Sequence, residues 1–333
     1  MKVLKGTPKH LSKTETLSKF TYLMMTLPFQ CNYRCLKCFN LEGDTPLLSK
    51  SSGEHISLTD RIELINEAKK LGGKVVVIAG EGEPSLDKNI KPIISEIHSL
   101  GMTSIVYSNG STLTNDLIDF YKENNTVLVI AFDSLESNKY GRLTGTKGQH
   151  EIVMKHIKNT LKSYRDVTYF EDGLNVLSVA INTTITSENQ DEVEKIKIFW
   201  GDDVYFICNP LSRSGNAIGN WDKLIQNNEE KKDCGELAKR LSESGGPLTL
   251  GIDNCCGYSV RGIGVNPFGD YMTCAFTQET NGLLGNIRNL SLENAFKMKH
   301  KLESEHYIKY GEMPCLVREK SFDDYLSKLK YSG

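Results

Sequence analysis

The chain has no apolar run approaching the roughly 20 residues needed to span a bilayer. Its first ten residues, Met1-Lys2-Val3-Leu4-Lys5-Gly6-Thr7-Pro8-Lys9-His10, lack the apolar core of a secretion signal. Neither sign of charge dominates. The formal net charge is −2 over 333 residues, so no global basic field argues for nucleic acid or an anionic membrane. Low-complexity segments are missing as well. Without an export signal, nine cysteines imply a reducing compartment, read here as the cytoplasm, where thiols bind metals or catalyse rather than pair. Charged residues at 25% and hydrophobic residues at 39% are ordinary for a soluble globular chain. The length suits one large domain, or one domain plus a smaller one.

The densest chemistry lies in Cys31-Asn32-Tyr33-Arg34-Cys35-Leu36-Lys37-Cys38. Three thiols on one tight loop suit a soft metal centre. A tetrahedral zinc site wants a fourth ligand, and the next cysteine is Cys208. A [4Fe–4S] cube on three thiolates instead leaves one iron free for an outside ligand. An apolar run from Phe20 to Pro28 reads as the strand that delivers this loop.

Residues 1–18 read as a polar surface lead-in, and 39–56 as a loop. A helix is expected from Ser57 or Thr59, with Ile62, Leu64, Ile65, Ala68 and Leu71 at helical period and Gly72-Gly73 as its stop. Strands and helices then alternate. Strands are expected at 74–79, 103–107, 127–132, 174–185 and 204–207, and helices near 89–100, 113–124, 149–163 and 189–200. Six such units argue for parallel strands with helical crossovers, hence an α/β partial barrel. Ligands in such folds collect at the C-terminal ends of the strands. The rhythm breaks after 210, with a charged helix near 228–244 that contains Cys234. A hairpin turning at Asn266–Asp270 and a helix near 291–303 follow.

Gly82-Glu83-Pro84 stands directly after the strand that follows the cysteine loop. That motif and the C-x3-C-x2-C spacing together resemble the radical S-adenosylmethionine (SAM) enzymes. The resemblance implies a partial (β/α)6 TIM-like barrel with a [4Fe–4S] cluster on Cys31, Cys35 and Cys38. It also implies an external electron donor such as flavodoxin or ferredoxin. The reduced cluster cleaves SAM to methionine and a 5′-deoxyadenosyl radical, which takes hydrogen from substrate. Gly82, Glu83 and Pro84 correspond to the family turn that meets the methionine ammonium. Ser108 and Asn109 resemble its polar turn near the ribose. Arg142 resembles an arginine that pairs with the SAM carboxylate, and Asn182 a strand position facing the cofactor. Three positions depart from the family. Glu81 stands where glycine is usual, Ala131 where serine is common, and Lys37 where an aromatic residue often packs on adenine, a role Phe39 would share.

Cys256-x12-Gly269-x4-Cys274, followed by Leu283-Leu284-Gly285-Asn286-Ile287, resembles the SPASM/twitch auxiliary-cluster domain. Only Cys315 follows, which suits the shorter twitch form with a second [4Fe–4S] cluster on Cys256, Cys274 and Cys315. Its fourth ligand would be Cys255, Cys234 or Cys208. A structural zinc ribbon is the competing assignment. The expected organisation is thus a lead-in (1–18), a radical SAM core (19–210), a connecting helical region (211–254) and a twitch/SPASM-like domain (255–333). Only 30 residues precede Cys31, which leaves no room for the leader-binding module of many peptide-modifying relatives. The expected substrate is therefore a small molecule or a leaderless peptide, with a peptide or protein maturase as the alternative. A non-catalytic metal-binding or redox-sensing protein is the reading from another class. It leaves Gly82-Glu83-Pro84 unexplained.

Overall fold

The computed structural model describes residues 1–11, 19–43, 45–46, 54–79, 81–211, 215–226, 228–241, 260–273 and 283–310. Cys255, Cys256, Cys274 and Cys315 lie outside the described residues.

Six parallel strands carry the β/α rhythm. They are β2 (Tyr22–Met25), β3 (Val75–Ile78), β4 (Thr103–Ser108), β5 (Thr126–Ala131), β8 (Val179–Ile185) and β9 (Tyr205–Pro210), adjacent in that order. Helices α1 (Leu58–Lys70), α2 (Ile90–Ser99), α3 (Asn115–Glu123), α4 (Ser137–Thr144), α5 (Gln149–Tyr164), α6 (Val193–Trp200) and α7 (Asn228–Leu241) form the crossovers. The period-2 pleat sorts each strand into two layers. Leu23, Met25, Val76, Ile78, Val106, Leu128, Ile130 and Ile181 pack outward with helix residues such as Ile93 and Ile97. Tyr22, Met24, Val75, Val77, Ile105, Val127, Val129 and Ala180 form a separate inner cluster. Strands buried on both faces explain their unbroken apolar runs.

The N-terminus is not a surface lead-in. Strand β1 (Lys2–Leu4) pairs in parallel with β7 (Leu174–Leu177), which pairs antiparallel with β6 (Tyr169–Glu171). Val3 and Leu4 are fully buried, and Leu4 and Leu177 join the inner cluster. The single strand expected over 174–185 is two strands. Its first part serves this small sheet, and the chain passes to the large sheet at Ser178.

Nor does the core end at 210. Helix α7 packs against β9, and Cys234, Ala238 and Leu241 at helical spacing enter the main core, completing the sixth β/α unit. Strand β10 (Gly262–Val265) adds to the large sheet beside β2, in parallel, with Gly262 opposite Tyr22 and Val265 opposite Met25. Strands β11 (Asp270–Met272) and β12 (Leu283–Asn286) extend it antiparallel to nine strands. The expected turn forms between β10 and β11, where Asn266 Oδ1 accepts the N–H groups of Phe268 and Asp270, both at 2.9 Å. Helix α8 (Leu292–Tyr310) returns to α1: Phe296 meets Phe20 edge to face at 5.1 Å, and Leu292 N–H donates to Glu67 at 2.9 Å. The described tail is thus built onto the core sheet.

Candidate active site

The inner face of the sheet changes character along the strands. Ala180 belongs to the apolar inner cluster, and Asn182 and Thr184 follow it on the same face of β8. On β9, Asn209 follows Tyr205 and Ile207 in the same way, and its Nδ2 donates to Asn182 Oδ1 at 2.8 Å. The cysteine loop leaves the same C-terminal end, directly after β2. The geometry places a polar floor under that end of the barrel, where ligands of such folds bind.

The cysteine loop is held from three sides. Arg34 N–H donates to Thr144 carbonyl at 3.1 Å, and Leu36 N–H to Leu143 carbonyl at 3.0 Å, both at the end of α4. Gly145 closes that helix with φ +65°, and a Cβ there would lie 2.3 Å from Arg34 carbonyl oxygen. Asn216 clamps the other side, its backbone N–H on Cys38 carbonyl at 2.8 Å and its Nδ2 on Cys35 carbonyl at 3.2 Å. Lys37 reaches inward to an ion pair with Asp133. Burial pushes the thiols of Cys31, Cys35 and Cys38 above the ordinary range. Bare thiolates are disfavoured there, and a bound cationic centre would supply the missing charge. Among the described residues, no three His, Cys, Asp or Glu side chains approach closely enough to hold a single metal ion.

The turn after β3 faces this loop. Gly82 lies so near Gln30 that a Cβ would fall 2.2 Å from its carbonyl oxygen, and Glu83 N–H donates to that oxygen at 2.6 Å. The Glu83 carboxylate is occupied by the chain itself. It accepts Ser108 Oγ–H at 2.8 Å, Asn109 N–H at 2.5 Å and Ser85 N–H at 3.2 Å. Burial raises its pKa, and these donors oppose the rise. Pro84 is buried at the start of a short 3-10 turn. Asn109 Nδ2 donates to Asn32 Oδ1 at 3.0 Å, so the turn after β4 also touches the cysteine loop.

Glu81 differs from Glu83. It is buried, its Oε1 has no hydrogen-bond partner among the described residues, and burial alone pushes its pKa up to about 7. An orphaned acceptor in this turn is a place for a cationic group.

The structure gathers Cys31, Cys35, Cys38, Gly82, Glu83, Pro84, Ser108 and Asn109 into one mouth, with Asn182 on the inner face below. Arg142 is engaged elsewhere. Its guanidinium meets Glu188 at 3.1 Å and its side chain is 58% exposed. Asp133 and Asn216 are the site residues the motifs do not mark, and Lys37, marked there only as a departure from an aromatic position, has Asp133 as its partner. Each acts through a contact distant in sequence, and Asp133 carries only the weak signal of an acidic residue at a strand end.

The chain matches the family model of the Radical SAM superfamily over residues 25–197. It belongs to that superfamily. The family's [4Fe–4S] cluster and SAM are accordingly its cofactors, and it is an enzyme of this class. A similar curated protein is the S-adenosylmethionine-dependent nucleotide dehydratase of Lacinutrix mariniflava, 32% identical over 146 residues, or 42% of this chain and 30% of that protein. Another is the GTP 3′,8-cyclase of Haemophilus influenzae, 26% identical over 55% of this chain and 50% of that protein. The matches thus span half or less of these relatives' length. Among solved structures, Streptococcus suis SuiB bound to precursor peptide SuiA aligns over 84% of this chain and 65% of that one, with TM-score 0.60 and 14% identity. Native anSMEcpe with bound AdoMet and a Cp18Cys peptide aligns over 84% of this chain and 81% of that one, with TM-score 0.57 and 15% identity. These likenesses establish the α/β radical SAM fold with its partial barrel. Among the described residues, no helix is long and apolar enough to cross a membrane.

Proposed function

We propose that this radical SAM enzyme uses Cys31, Cys35 and Cys38 as the ligands of its SAM-binding [4Fe–4S] cluster and acts on a substrate rich in neutral hydrogen-bonding groups, a short peptide or a small polyol. The carrying observation is the mouth itself, where the cysteine loop and the Gly82-Glu83-Pro84 turn meet at the C-terminal ends of parallel strands. Bound there, cluster and SAM supply the reductive cleavage that makes the 5′-deoxyadenosyl radical. The chain's part is to hold and orient. Glu81 offers a free, buried acceptor to the amino-acid end of SAM. Glu83 ties two strand ends together behind it. Asn216 and the α4 carbonyls fix the cysteine loop. One-electron reduction comes from an external donor of the flavodoxin or ferredoxin type.

The substrate reading rests on Asn182, Thr184 and Asn209, which line the inner face with amides and a hydroxyl. A triphosphate would call for cations, which these three residues do not supply. The nucleotide reading is favoured by the curated relatives, whose names specify nucleotide and GTP chemistry. Cys256, Cys274 and Cys315, with Cys255, Cys234 or Cys208, belong to the proposal as ligands of an auxiliary [4Fe–4S] cluster.

Iron and sulfide counts after anaerobic reconstitution test the ligand sets. The expected result is about eight irons per chain, falling to about half in the Cys31→Ala/Cys35→Ala/Cys38→Ala variant. Loss of all iron from that variant would remove the auxiliary cluster from the account. Stimulation of 5′-deoxyadenosine formation by nucleoside triphosphates would overturn the substrate assignment.

A further inference from the structure

Lys37 lies between two of the three loop cysteines, yet its side chain is turned inward and only 12% exposed. Its partner Asp133 is 2% exposed and stands at the end of β5. Asp133 is itself held twice. Its Oδ1 accepts Thr184 N–H at 2.9 Å, and its carbonyl accepts Asn189 Nδ2 at 2.8 Å. The anion is thus fixed by the sheet, and the cation is carried by the cysteine loop. The pair sets one charge of each sign directly beside the loop cysteines.

A buried ion pair is weak evidence for stability, because desolvation offsets much of the attraction. Its place is more telling. Charges out of reach of solvent are little screened, and the net charge around an iron–sulfur cluster helps set its reduction potential.

We propose that the Lys37–Asp133 pair is a balanced positioning device for the SAM-binding cluster. It docks the loop onto β5 and sets two opposite charges beside the cluster ligands, so that removing either one leaves the other unopposed. The proposal rests on the ligand assignment made above. Lys37 and Asp133 act through the loop and its ligands, so they are positioning residues.

The test is a redox titration of anaerobically reconstituted protein without SAM, with the reduced cluster followed by electron paramagnetic resonance. Lys37→Gln leaves Asp133 unbalanced, and the potential of the cluster on the loop moves to more negative values. Asp133→Asn leaves Lys37 unbalanced, and that potential moves to more positive values. The double variant returns towards the wild-type potential. A purely mechanical tether would shift both single variants the same way, and that result, or no shift in either, overturns the proposal. Should the single variants take up no cluster at the loop, the double variant decides. A filled double variant upholds charge balance, and an empty one contradicts it. A wild-type chain with no cluster on Cys31, Cys35 and Cys38 would instead sink the ligand assignment itself.

Discussion

Asn109 donates its backbone N–H to Glu83 at 2.5 Å, joining the turn after β4 to the turn after β3. Ser108 and Ser85 add donors to the same carboxylate. The glutamate of the family turn therefore braces two neighbouring strand ends. Glu83→Ala should strand these buried donors and leave a cavity. The expected cost is about 3 kcal/mol in denaturant unfolding, with SAM affinity of the reconstituted protein down at least about tenfold. Unchanged stability would show that the brace carries no weight.

Asn216 fastens the cysteine loop through the carbonyls of Cys35 and Cys38. Asn216→Ala removes the side-chain bond alone, at a cost of about 1 kcal/mol. The loop then opens more often, and iron release to a chelator should quicken about fivefold, as that energy implies. Release at the wild-type rate would place the control of the loop elsewhere.

Glu81 makes stability depend on pH. Its folded pKa, near 7, lies above the unfolded value of about 4.3. Its contribution is whole below the lower value and is lost as pH rises through 7. The ligand-free protein should therefore lose on the order of 2 kcal/mol between pH 5 and pH 8. Glu81→Gln should flatten that window. An identical pH profile in the variant would show that Glu81 is solvated or paired.

Glu192 holds the wall behind Asp133. Burial pushes its pKa up, but Lys139, Ser134 Oγ–H at 2.8 Å and Leu135 N–H at 3.0 Å pull it below the ordinary value overall. The sign is opposite to that of Glu81. The stabilisation is present above the unfolded value and fades as pH falls through the folded one. Glu192→Gln leaves Lys139 with only the more exposed carboxylates of Asp191 and Glu136, at a cost of about 1 kcal/mol at neutral pH. Thermal unfolding over a falling pH series checks it, with the gap between the two proteins narrowing as the acid range is entered.

The sheet was legible because its strands are buried on both faces. Val75–Ile78 reads as a strand at sight, although its division into inner Val75 and Val77 and outer Val76 and Ile78 needs the fold. Lys2–Leu4 is too short to show a period, and its partner strand lies about 170 residues away in sequence. Asn175 to Leu177 likewise look continuous with Val179 to Ile185 because only Ser178 separates two stretches rich in β-branched and apolar residues, yet they serve different sheets. The cysteine spacing and Gly82-Glu83-Pro84 are local and could be read directly. The loop's supports could not, since Asp133 is 96 residues from Lys37 and Asn216 is 181 residues from Cys35. Arg142 shows the complementary case: its sequence context suggests a cofactor contact, and its pairing with Glu188 could be read only from the fold.

On the proposed ligand assignment, the Cys31–Cys38 loop holds the cluster that powers cleavage of SAM. Reconstituted protein given SAM and dithionite without oxygen should form 5′-deoxyadenosine, and Cys31→Ala/Cys35→Ala/Cys38→Ala protein should form none. Wild-type protein that holds iron on this loop and leaves SAM intact would contradict the account.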